Sequence, residues 1–553
     1  MRNFTLLLLL HLFPVSLSSK NTLDTEVTTE SELRAALSMQ IPPLHYHRIF
    51  LTSELTLNSP IRLTSHTELY GEPGGKASLQ FQHLDSESGL ILHSVSDVSV
   101  RDVRVAYDNE NIWYNRSAVL SVQDSYNVFL EGLVIEGGVQ ISGGSLIDLS
   151  WSNISNHKGS QNGTCVYVPG CGVSKSLTSC NLTIHDNLIH DCRYDGVSIY
   201  DSSAQGILLG AQSGAPSNTT NGGCTVGVVV RNNNVQGVDE MGIRVATDVP
   251  CSTVLNNVSY NRVSDWGQGS KANGGDGADS GCLYVYGHWY SPGNVFEANF
   301  CNSTSNKTWG QNGAYLDDSA SGNTFKGNFF VGAINGEAVK LNGGQFNTID
   351  SNVVYRGSAL GSANCRGLRP PLNYIYTCEN NNTGARWMKI LESNGYREPP
   401  WSLTFPFFNG WCTNTTAGPD NVPCAPQGAP EGYECAALSR GNSAGNFATI
   451  SAVRNTTFDV ITSPGFPFQN WSSACPDYVV TGSYNEIDLA SQFAYESDDV
   501  FVNAAGGDLT LRSDSQIFID MPSFMKVNFL SIGVGGGGGR GRVIGEALPT
   551  AER

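Results

Sequence analysis

Apolar and polar residues follow one frame that recurs along most of the chain. Apolar residues occupy alternate positions, an asparagine follows, and another apolar residue stands next to it or two positions later. The clearest copies are NTFKGNFF (323–330), NVFEANFC (294–301) and NTIDSNVV (347–354). Alternation of this kind predicts short β-strands separated by turns. Across nine copies, the residue at the sixth position is Asp102, Gly132, Asn153, Asn187, Asn233, Asn257, Asn299, Asn328 and Asn352.

The spacing of these copies predicts how the strands are arranged. The shortest intervals are 21 and 24 residues, and three short strands with three turns close one coil in roughly that length at ~3.3 Å per residue. We therefore expect an all-β fold, a right-handed parallel β-helix solenoid, in which equivalent strands of successive coils pair. Its asparagines would stack and bond along the pile. The alternative is a β-sandwich with asparagines in its turns, although a sandwich would not keep one register through nine copies.

An N-terminal helix is expected to cover the first coil. The segment VTTESELRAAL (27–37) offers Thr29 as N-cap and Glu32 three residues later, which is the pattern of a capping box. Alternating apolar residues follow at 48–63. A solenoid needs such a cap because its terminal coil otherwise exposes apolar surface.

Several features indicate export. Residues 1–19 have one arginine and an apolar run too short to span a membrane, as in a secretory signal peptide. All 14 cysteines lie between Cys165 and Cys475, an even number that suits disulfides. After the leader the chain has twelve N-glycosylation sequons. Two of them begin at the predicted ladder residues Asn153 and Asn257, which could not carry glycan if the ladder is internal.

Composition limits the partners. The net charge is −18, so the chain has no basic surface typical of nucleic-acid binding. No apolar stretch suggests a membrane span. We expect a secreted, glycosylated and disulfide-bonded monomer with no cofactor, and calcium as an open possibility.

A second landmark is a strand that opens with glycine, and its surroundings suggest a groove. It appears as GVSIYD (196–201), GIRVAT (242–247), GCLYVY (281–286), GAYLDD (313–318) and GEAVKL (336–341). Long insertions at 266–280 and 302–312 precede two of these strands. Loops on a rigid scaffold commonly carry function, so we expect the insertions to wall a binding groove.

Acidic residues cluster at this predicted groove. Asp279 precedes one glycine strand, and Asp317 and Asp318 end the next. Alternation directs Ala314 and Leu316 inward and Asp317 outward. If neighbouring coils bring Asp279 close to Asp317, the two carboxylates suit glycosidic hydrolysis, with one acid protonated and one ionised. The alternative is that these aspartates cap turns.

Aromatic and basic residues in the same region are candidates for sugar binding, since sugars stack on aromatic faces. Ordinary packing is the alternative for each aromatic residue, and a structural role is the alternative for the histidine. The candidates are Tyr284, Tyr286, Tyr315, Trp289, Trp309, Arg244 and His288.

These segments resemble glycoside hydrolase family 141, whose members are secreted right-handed β-helix enzymes. The resemblance is carried by DSGCLYVYG (279–287), GAYLDDSASGNTFKGNFF (313–330) and EAVKLNGGQFNTIDSNVV (337–354). It implies hydrolysis of glycosidic bonds in complex polysaccharides, with one acid from each of the first two segments. Here those acids are Asp279 and Asp317 or Asp318.

Two other functions remain open. A polysaccharide lyase or uronate epimerase needs a basic group and neutralisation of a carboxylate, for which Arg244, Lys340 and Arg366 are available. A non-catalytic sugar-binding or structural β-helix would use the same aspartates as turn caps.

The expected domain organisation follows from these features. It comprises a signal peptide (1–19), an N-terminal cap with the first coils (20–95), the β-helix core with the groove (96–361), a Cys-rich loop insertion (362–445), the last coils with a closing segment (446–533) and a Gly/Arg-rich flexible tail (534–553).

Overall fold

The fold was taken from a computed structural model of the chain. The structure describes residues 21–42, 45–73, 76–82, 88–107, 118–156, 164–171, 176–192, 197–201, 225–247, 253–268, 280–286, 291–303, 311–317, 320, 322–332, 337–342, 347–350, 352–355, 359–364, 395–406, 457–459, 493–495, 497–503 and 508–520.

Three long sheets of parallel strands form the molecule, and strands are numbered in chain order. Each complete coil of the described residues contributes one strand to each sheet, and each strand pairs with its equivalent in the next coil. Sheet A contains β1 Asn21–Val27, β2 His45–Leu51, β5 Thr67–Gly71, β8 Ser96–Arg101, β11 Tyr126–Glu131, β14 Ser145–Ser150, β17 Leu182–His185, β21 Val229–Arg231, β25 Asn257–Ser259, β28 Val295–Glu297, β31 Thr324–Lys326 and β34 Thr348–Asp350.

Sheet B follows sheet A in each coil. It contains β3 Glu54–Leu57, β6 Ser78–Phe81, β9 Arg104–Tyr107, β12 Val134–Glu136, β15 Asn153–Asn156, β18 Leu188–Cys192, β22 Asn234–Gln236, β26 Arg262–Ser264, β29 Phe300–Ser303, β32 Phe329–Gly332, β35 Val353–Tyr355, β37 Thr457–Asp459 and β38 Phe493–Tyr495.

Sheet C completes the coil. It contains β4 Ile61–Arg62, β7 Leu90–His93, β10 Leu120–Gln123, β13 Val139–Ser142, β16 Val166–Gly170, β19 Val197–Asp201, β23 Ile243–Thr247, β27 Ser280–Tyr286, β30 Gln311–Asp317, β33 Glu337–Asn342 and β36 Ala359–Asn364. A short pair, β20 Thr225–Val226 and β24 Thr253–Val254, lies outside these sheets. The predicted right-handed parallel β-helix is therefore confirmed, because all three sheets are parallel and their strand order follows the coils.

The core fills the interior of the coils. On sheet A, Val230, Val258, Phe296 and Phe325 occupy equivalent inward positions of successive strands. All four are fully buried, and the rings of Phe296 and Phe325 stack with their centroids 4.4 Å apart. Identical register from coil to coil thus converts the sequence repeat into continuous apolar rows.

An asparagine ladder runs along the corner between sheets A and B, as predicted. Its members are fully buried, and each side-chain amide donates to the carbonyl oxygen of the next side chain at 2.9–3.0 Å. Each also donates to a backbone carbonyl on an adjacent strand, as Asn299 does to Val258 at 2.9 Å. The ladder satisfies polar groups that water cannot reach. It consists of Asn187, Asn233, Asn261, Asn299, Asn328 and Asn352.

The predicted ladder was wrong in four coils. Asn153 and Asn257 lie outside it, and Ser152 and Asn261 hold those positions. In the two earlier coils, Asp102 and Gly132 are in the left-handed conformation (φ 54° and 66°), one residue before the ladder position. That position holds the buried apolar residues Val103 and Leu133. Asn153 and Asn257 are half-buried, so the conflict between the ladder and their sequons disappears.

A second ladder, which the sequence analysis missed, follows the corner before sheet A. Asn256, Asn294, Asn323 and Asn347 are buried, and successive side chains bond at 2.9–3.5 Å. The sequence contained the signal for this ladder, because each of the three clearest repeat copies begins with one of its asparagines: Asn294, Asn323 or Asn347.

The N-terminal cap is confirmed. Helix α1 (Glu30–Leu37) has Thr29 as N-cap, and Thr29 and Glu32 form the capping box. Leu33 and Ala36 of this helix join the core. The helix therefore covers the apolar interior of the first coil.

The last described segments pack against the outer face of sheet B. They comprise α3 (Ser497–Val500), the antiparallel pair β39 (Phe501–Asn503) and β40 (Asp508–Leu511), and α4 (Ile517–Asp520). Helix α2 (Trp401–Thr404) precedes them in the chain, and Phe405 at its end lies beside Gly293 at the corner before sheet A. Phe501 stacks on Phe329 with centroids 5.5 Å apart and contacts Tyr355 at 4.9 Å. The apolar outward residues of late sheet B strands are thereby covered.

Three disulfides lie within the described residues: Cys165–Cys192, Cys171–Cys180 and Cys282–Cys301. Their presence agrees with an oxidising compartment. In the part of the chain that the structure describes, no helix is both long and apolar enough to cross a bilayer.

Candidate functional site

The five glycine strands of the sequence analysis become neighbours in sheet C. Their order is β33, β30, β27, β23 and β19, each paired in parallel with the next. The predicted alternation is also confirmed, because Ala314 and Leu316 lie in the core whereas Tyr315 belongs to a separate cluster outside it. Sheet C therefore presents one continuous outer face across these coils.

Two rows of side chains on this face bring the predicted residues together. The first row is in register across four strands and consists of Arg244, Tyr284, Tyr315 and Lys340. In the second row Tyr286 lies opposite Asp317. Neighbouring strands are ~4.8 Å apart, so the first row spans about 14 Å. We refer to these six residues as the sheet C cluster.

Asp317 is anchored by a tyrosine of the neighbouring strand. The hydroxyl of Tyr284 donates to Oδ2 of Asp317 at 2.8 Å. Burial and then the nearby Asp317 carboxylate hold the pKa of Tyr284 well above its usual value. Tyr284 therefore keeps its proton and donates a hydrogen bond to Asp317 at neutral pH, so it is not a general base there.

The tyrosines are less accessible than predicted. Tyr284 and Tyr315 are only 5% and 1% exposed, and Asp317 is 7% exposed. The two tyrosine rings meet edge to face with centroids 5.2 Å apart. The expectation that Tyr284 and Tyr315 are open platforms for sugar stacking was wrong, because they pack against each other and against Met241.

The accessible members of the sheet C cluster are Arg244, Tyr286 and Lys340, which are half-buried. The ring of Tyr286 lies parallel to that of Tyr284, with centroids 6.5 Å apart. A cation flanks each end of the tyrosine pair: the Arg244 guanidinium lies 5.5 Å from the Tyr284 centroid, and Nζ of Lys340 lies 4.3 Å from the Tyr315 centroid. These cation–π contacts fix both basic groups over a rigid aromatic floor.

The register separates the start of β27 from the end of β30 along sheet C. Ser280 at the start of β27 pairs with Gln311, whereas Asp317 at the end of β30 pairs with Tyr286. Asp279 lies outside the described residues, so its proximity to Asp317 remains a prediction.

Several predicted site residues lie outside the described residues. These are Asp279, Asp318, His288, Trp289 and Trp309, and their roles remain predictions. Trp266, the first residue of the predicted insertion 266–280, is fully buried in the core.

Lys340 is the site residue that the candidate set missed. The sequence analysis named Lys340 only as a possible group of a lyase. Its outward direction could have been predicted, because Lys340 in GEAVKL and Tyr315 in GAYLDD both occupy odd-numbered positions after the opening glycine is counted as the first. Within the described ranges, no three His, Cys, Asp or Glu side chains lie together as metal ligands.

Comparison of the sequence with known proteins does not assign the chain to a family. No protein-family model matches the sequence, and no curated protein matches it. The resemblance to glycoside hydrolase family 141 therefore remains a prediction.

Solved structures with some likeness to the chain have low scores. The Dettilon tailspike protein is 9% identical over 61% of this chain and 69% of its own, with a TM-score of 0.40. An alginate lyase from Paenibacillus sp. str. FPU-7 is 15% identical over 62% and 97%, with a TM-score of 0.34. The surface adhesin PfbA of Streptococcus pneumoniae is 10% identical over 57% and 79%, with a TM-score of 0.30. These values carry no argument about chemistry, so the site must be judged on its own geometry.

Proposed function

We propose that the protein is an extracellular enzyme that binds an acidic polysaccharide on the outer face of sheet C and cleaves its glycosidic bonds. The observation that supports this most is the row Arg244, Tyr284, Tyr315 and Lys340, in which two cations stand over a tyrosine floor. The cluster contains two cations and one carboxylate, in a chain of net charge −18. A local positive excess of this kind favours a ligand with carboxylates.

Elimination is the chemistry that these residues favour. In a uronate, a base removes the proton beside the carboxyl group, the electron pair forms a double bond, and the glycosidic C–O bond breaks as the leaving oxygen takes up a proton. The planar guanidinium of Arg244 suits the uronate carboxylate. The charged amine of Lys340, on the same row, helps to neutralise that carboxylate and so makes the neighbouring C–H bond more acidic. Tyrosine side chains serve as general acids and bases, so we assign both proton steps to Tyr286, which takes up the proton as a phenolate and then donates it to the leaving oxygen.

Hydrolysis is the second candidate, and Asp317 is the observation that favours it. Its carboxylate is on the same outer face beside Tyr286, and the resemblance to glycoside hydrolase family 141 implies an acid from this strand. A second carboxylate is required, and Asp318 is the nearest in sequence. Asp279, the acid that the resemblance implies from the neighbouring glycine strand, is the other candidate for this second carboxylate.

Product analysis on a panel of acidic and neutral polysaccharides tests the proposal. Elimination gives an unsaturated sugar end that absorbs in the ultraviolet, whereas hydrolysis gives new reducing ends without that absorbance. We expect unsaturated products from a uronate polymer, and the Arg244→Ala and Lys340→Ala variants should each lose activity by about 100-fold.

Matched controls come from the same coils. Arg231 and Lys326 are basic residues on the outer face of sheet A, in the coils of Arg244 and Lys340 respectively. The Arg231→Ala and Lys326→Ala variants should retain activity. Binding without cleavage of any polymer would refute the enzyme and favour a sugar-binding protein, and reducing ends without ultraviolet absorbance would favour hydrolysis.

A further inference from the structure

An outer corner of sheet A holds a row of residues in the left-handed backbone conformation. Successive coils place Asp97, Asn127, Leu146, Asn181 and Gly227 at equivalent positions, with φ between 48° and 67°. Aspartate, asparagine and glycine tolerate this conformation, but leucine rarely does. Leu146 is therefore an apolar side chain in a row that otherwise consists of polar residues and glycine.

Polar members of this row bond to one another where they are adjacent. Nδ2 of Asn127 donates to Oδ1 of Asp97 at 2.6 Å. At the neighbouring corner, Asn232 donates to Asp186 in the same way. Side-chain pairing along the coil axis is thus the usual arrangement for an outward asparagine here.

Asn181 lies between neighbours that offer no such pairing. On one side is Leu146, and Ile147 N donates to the backbone oxygen of Asn181 at 3.2 Å. On the other side is Gly227, which has no side chain. Asn181 is exposed, and it begins the sequon Asn181-Leu182-Thr183, in which Leu182 enters the core and Thr183 faces outward. Leu146 itself is 38% exposed, with Tyr126, 52% exposed, one coil further along.

From this arrangement we infer that Asn181 carries an N-linked glycan whose first sugars lie over Leu146. A sequon that is exposed in a turn is where an N-glycan can be accommodated in the folded protein. The glycan would cover apolar surface that the row otherwise leaves open to water. The inference depends on the proposed export and is independent of any catalytic activity.

Other described sequons differ in their surroundings, which makes the inference specific. Asn153 is half-buried, and its Oδ1 bonds to Nε2 of His190 at 2.7 Å. Asn257 begins strand β25 and is half-buried between Val229 and Val295. We expect the folded, secreted protein to be modified at Asn181 and unmodified at Asn153.

The test is to map the glycosylated sites on the full chain after secretion from eukaryotic cells. A well-characterised signal peptide replaces residues 1–19, so that secretion does not depend on whether those residues act as a signal. Enzymatic removal of N-glycans in heavy-oxygen water should convert Asn181 into labelled aspartate. The Asn181→Gln and Thr183→Ala variants should each lose one glycan in gel mobility, while Asn153→Gln should not. Recovery of the Asn181 peptide without a glycan would overturn the inference, whatever the state of the other sequons.

A second measurement tests the cover over Leu146. Native removal of glycans should increase binding of a hydrophobic fluorescent dye to the wild type but not to a Leu146→Ser variant. Equal dye binding before and after removal in the wild type would refute the contact between the glycan and Leu146.

Discussion

Single side chains on the outer surface of this β-helix are held by partners on adjacent coils. His185 at the end of β17 is the clearest case, because Nε2 bonds to Asp148 at 3.0 Å and Nδ1 bonds to Asp186 at 2.5 Å. Burial lowers the pKa of His185, but hydrogen bonds and charges of Asp148 and Asp186 outweigh it and raise the pKa to about 9. The protonated imidazole therefore ties two coils together.

This contact makes stability depend on pH in a stated direction. Because the folded pKa of His185 is above the unfolded value near 6.5, its contribution is complete below pH ~6.5 and is lost as the pH rises through about 9. After allowance for solvent screening, we expect a contribution on the order of 1–2 kcal/mol. Urea denaturation at several pH values measures it: the gap between wild type and His185→Gln should shrink over this range. A gap that is constant or grows with pH would contradict the assignment.

Predictions for single residues succeeded where the alternation of inward and outward positions along a strand is enough to determine the direction of a side chain. The outward direction of Tyr315 and Asp317 follows from alternation with Ala314 and Leu316, and the structure confirms it. The burial of Tyr284 and Tyr315 was not predictable in this way, since it depends on which side chains meet on the outer face. The hydrogen bond from Tyr284 to Asp317 likewise requires the register between β27 and β30.

At the scale of elements, the two asparagine ladders hold the turns between strands. The side chain of Asn299 takes part in four hydrogen bonds: it donates to Val258 and Asn328 and accepts from the backbone and side chain of Asn261. All of these groups are buried, so removal of one amide leaves several of them without partners.

The ladder therefore predicts a large effect of one substitution. Asn299→Ala should lower the free energy of unfolding by about 3 kcal/mol, because buried polar groups lose their partners. Asn257→Ala, in the adjacent coil but on the outer face of sheet A, should change it by less than about 0.5 kcal/mol. Urea denaturation of both variants measures the difference. Equal, small effects would mean that the ladder does not stabilise the coils.

Sequence predicted the existence of the ladder but not all of its members. The repeat frame identified Asn187, Asn233, Asn299, Asn328 and Asn352 correctly, because each stands three residues after the sheet A position that is in register with Ile184. It failed at Asn257, where STVLNNVS matches the frame four residues too early. The sequence pattern fits equally well when this copy is displaced by four residues. In the structure, however, Asn261 is the asparagine that follows the left-handed residue Tyr260 at the corner.

At the scale of the whole molecule, sheet C collects residues that are far apart in sequence. Arg244 and Lys340 are separated by 96 positions, yet three strand pairings bring them into one row. The fold was predictable because the repeat is long and regular. The proximity of Asp279 to Asp317 stays a prediction, because Asp279 lies outside the described residues.

The most direct test of the account is calorimetric titration of the wild-type protein with an oligouronate and with the same oligosaccharide after reduction of its carboxyl groups to alcohols. Charge-assisted bonds from Arg244 and Lys340 should make the acidic ligand bind at least about tenfold more tightly, or ~1.4 kcal/mol. The Arg244→Ala/Lys340→Ala double variant should lose this preference, and Arg231→Ala/Lys326→Ala should keep it. Equal affinity of the two ligands for the wild type, or an undiminished preference in the first double variant, would contradict the assignment of an acidic glycan to sheet C.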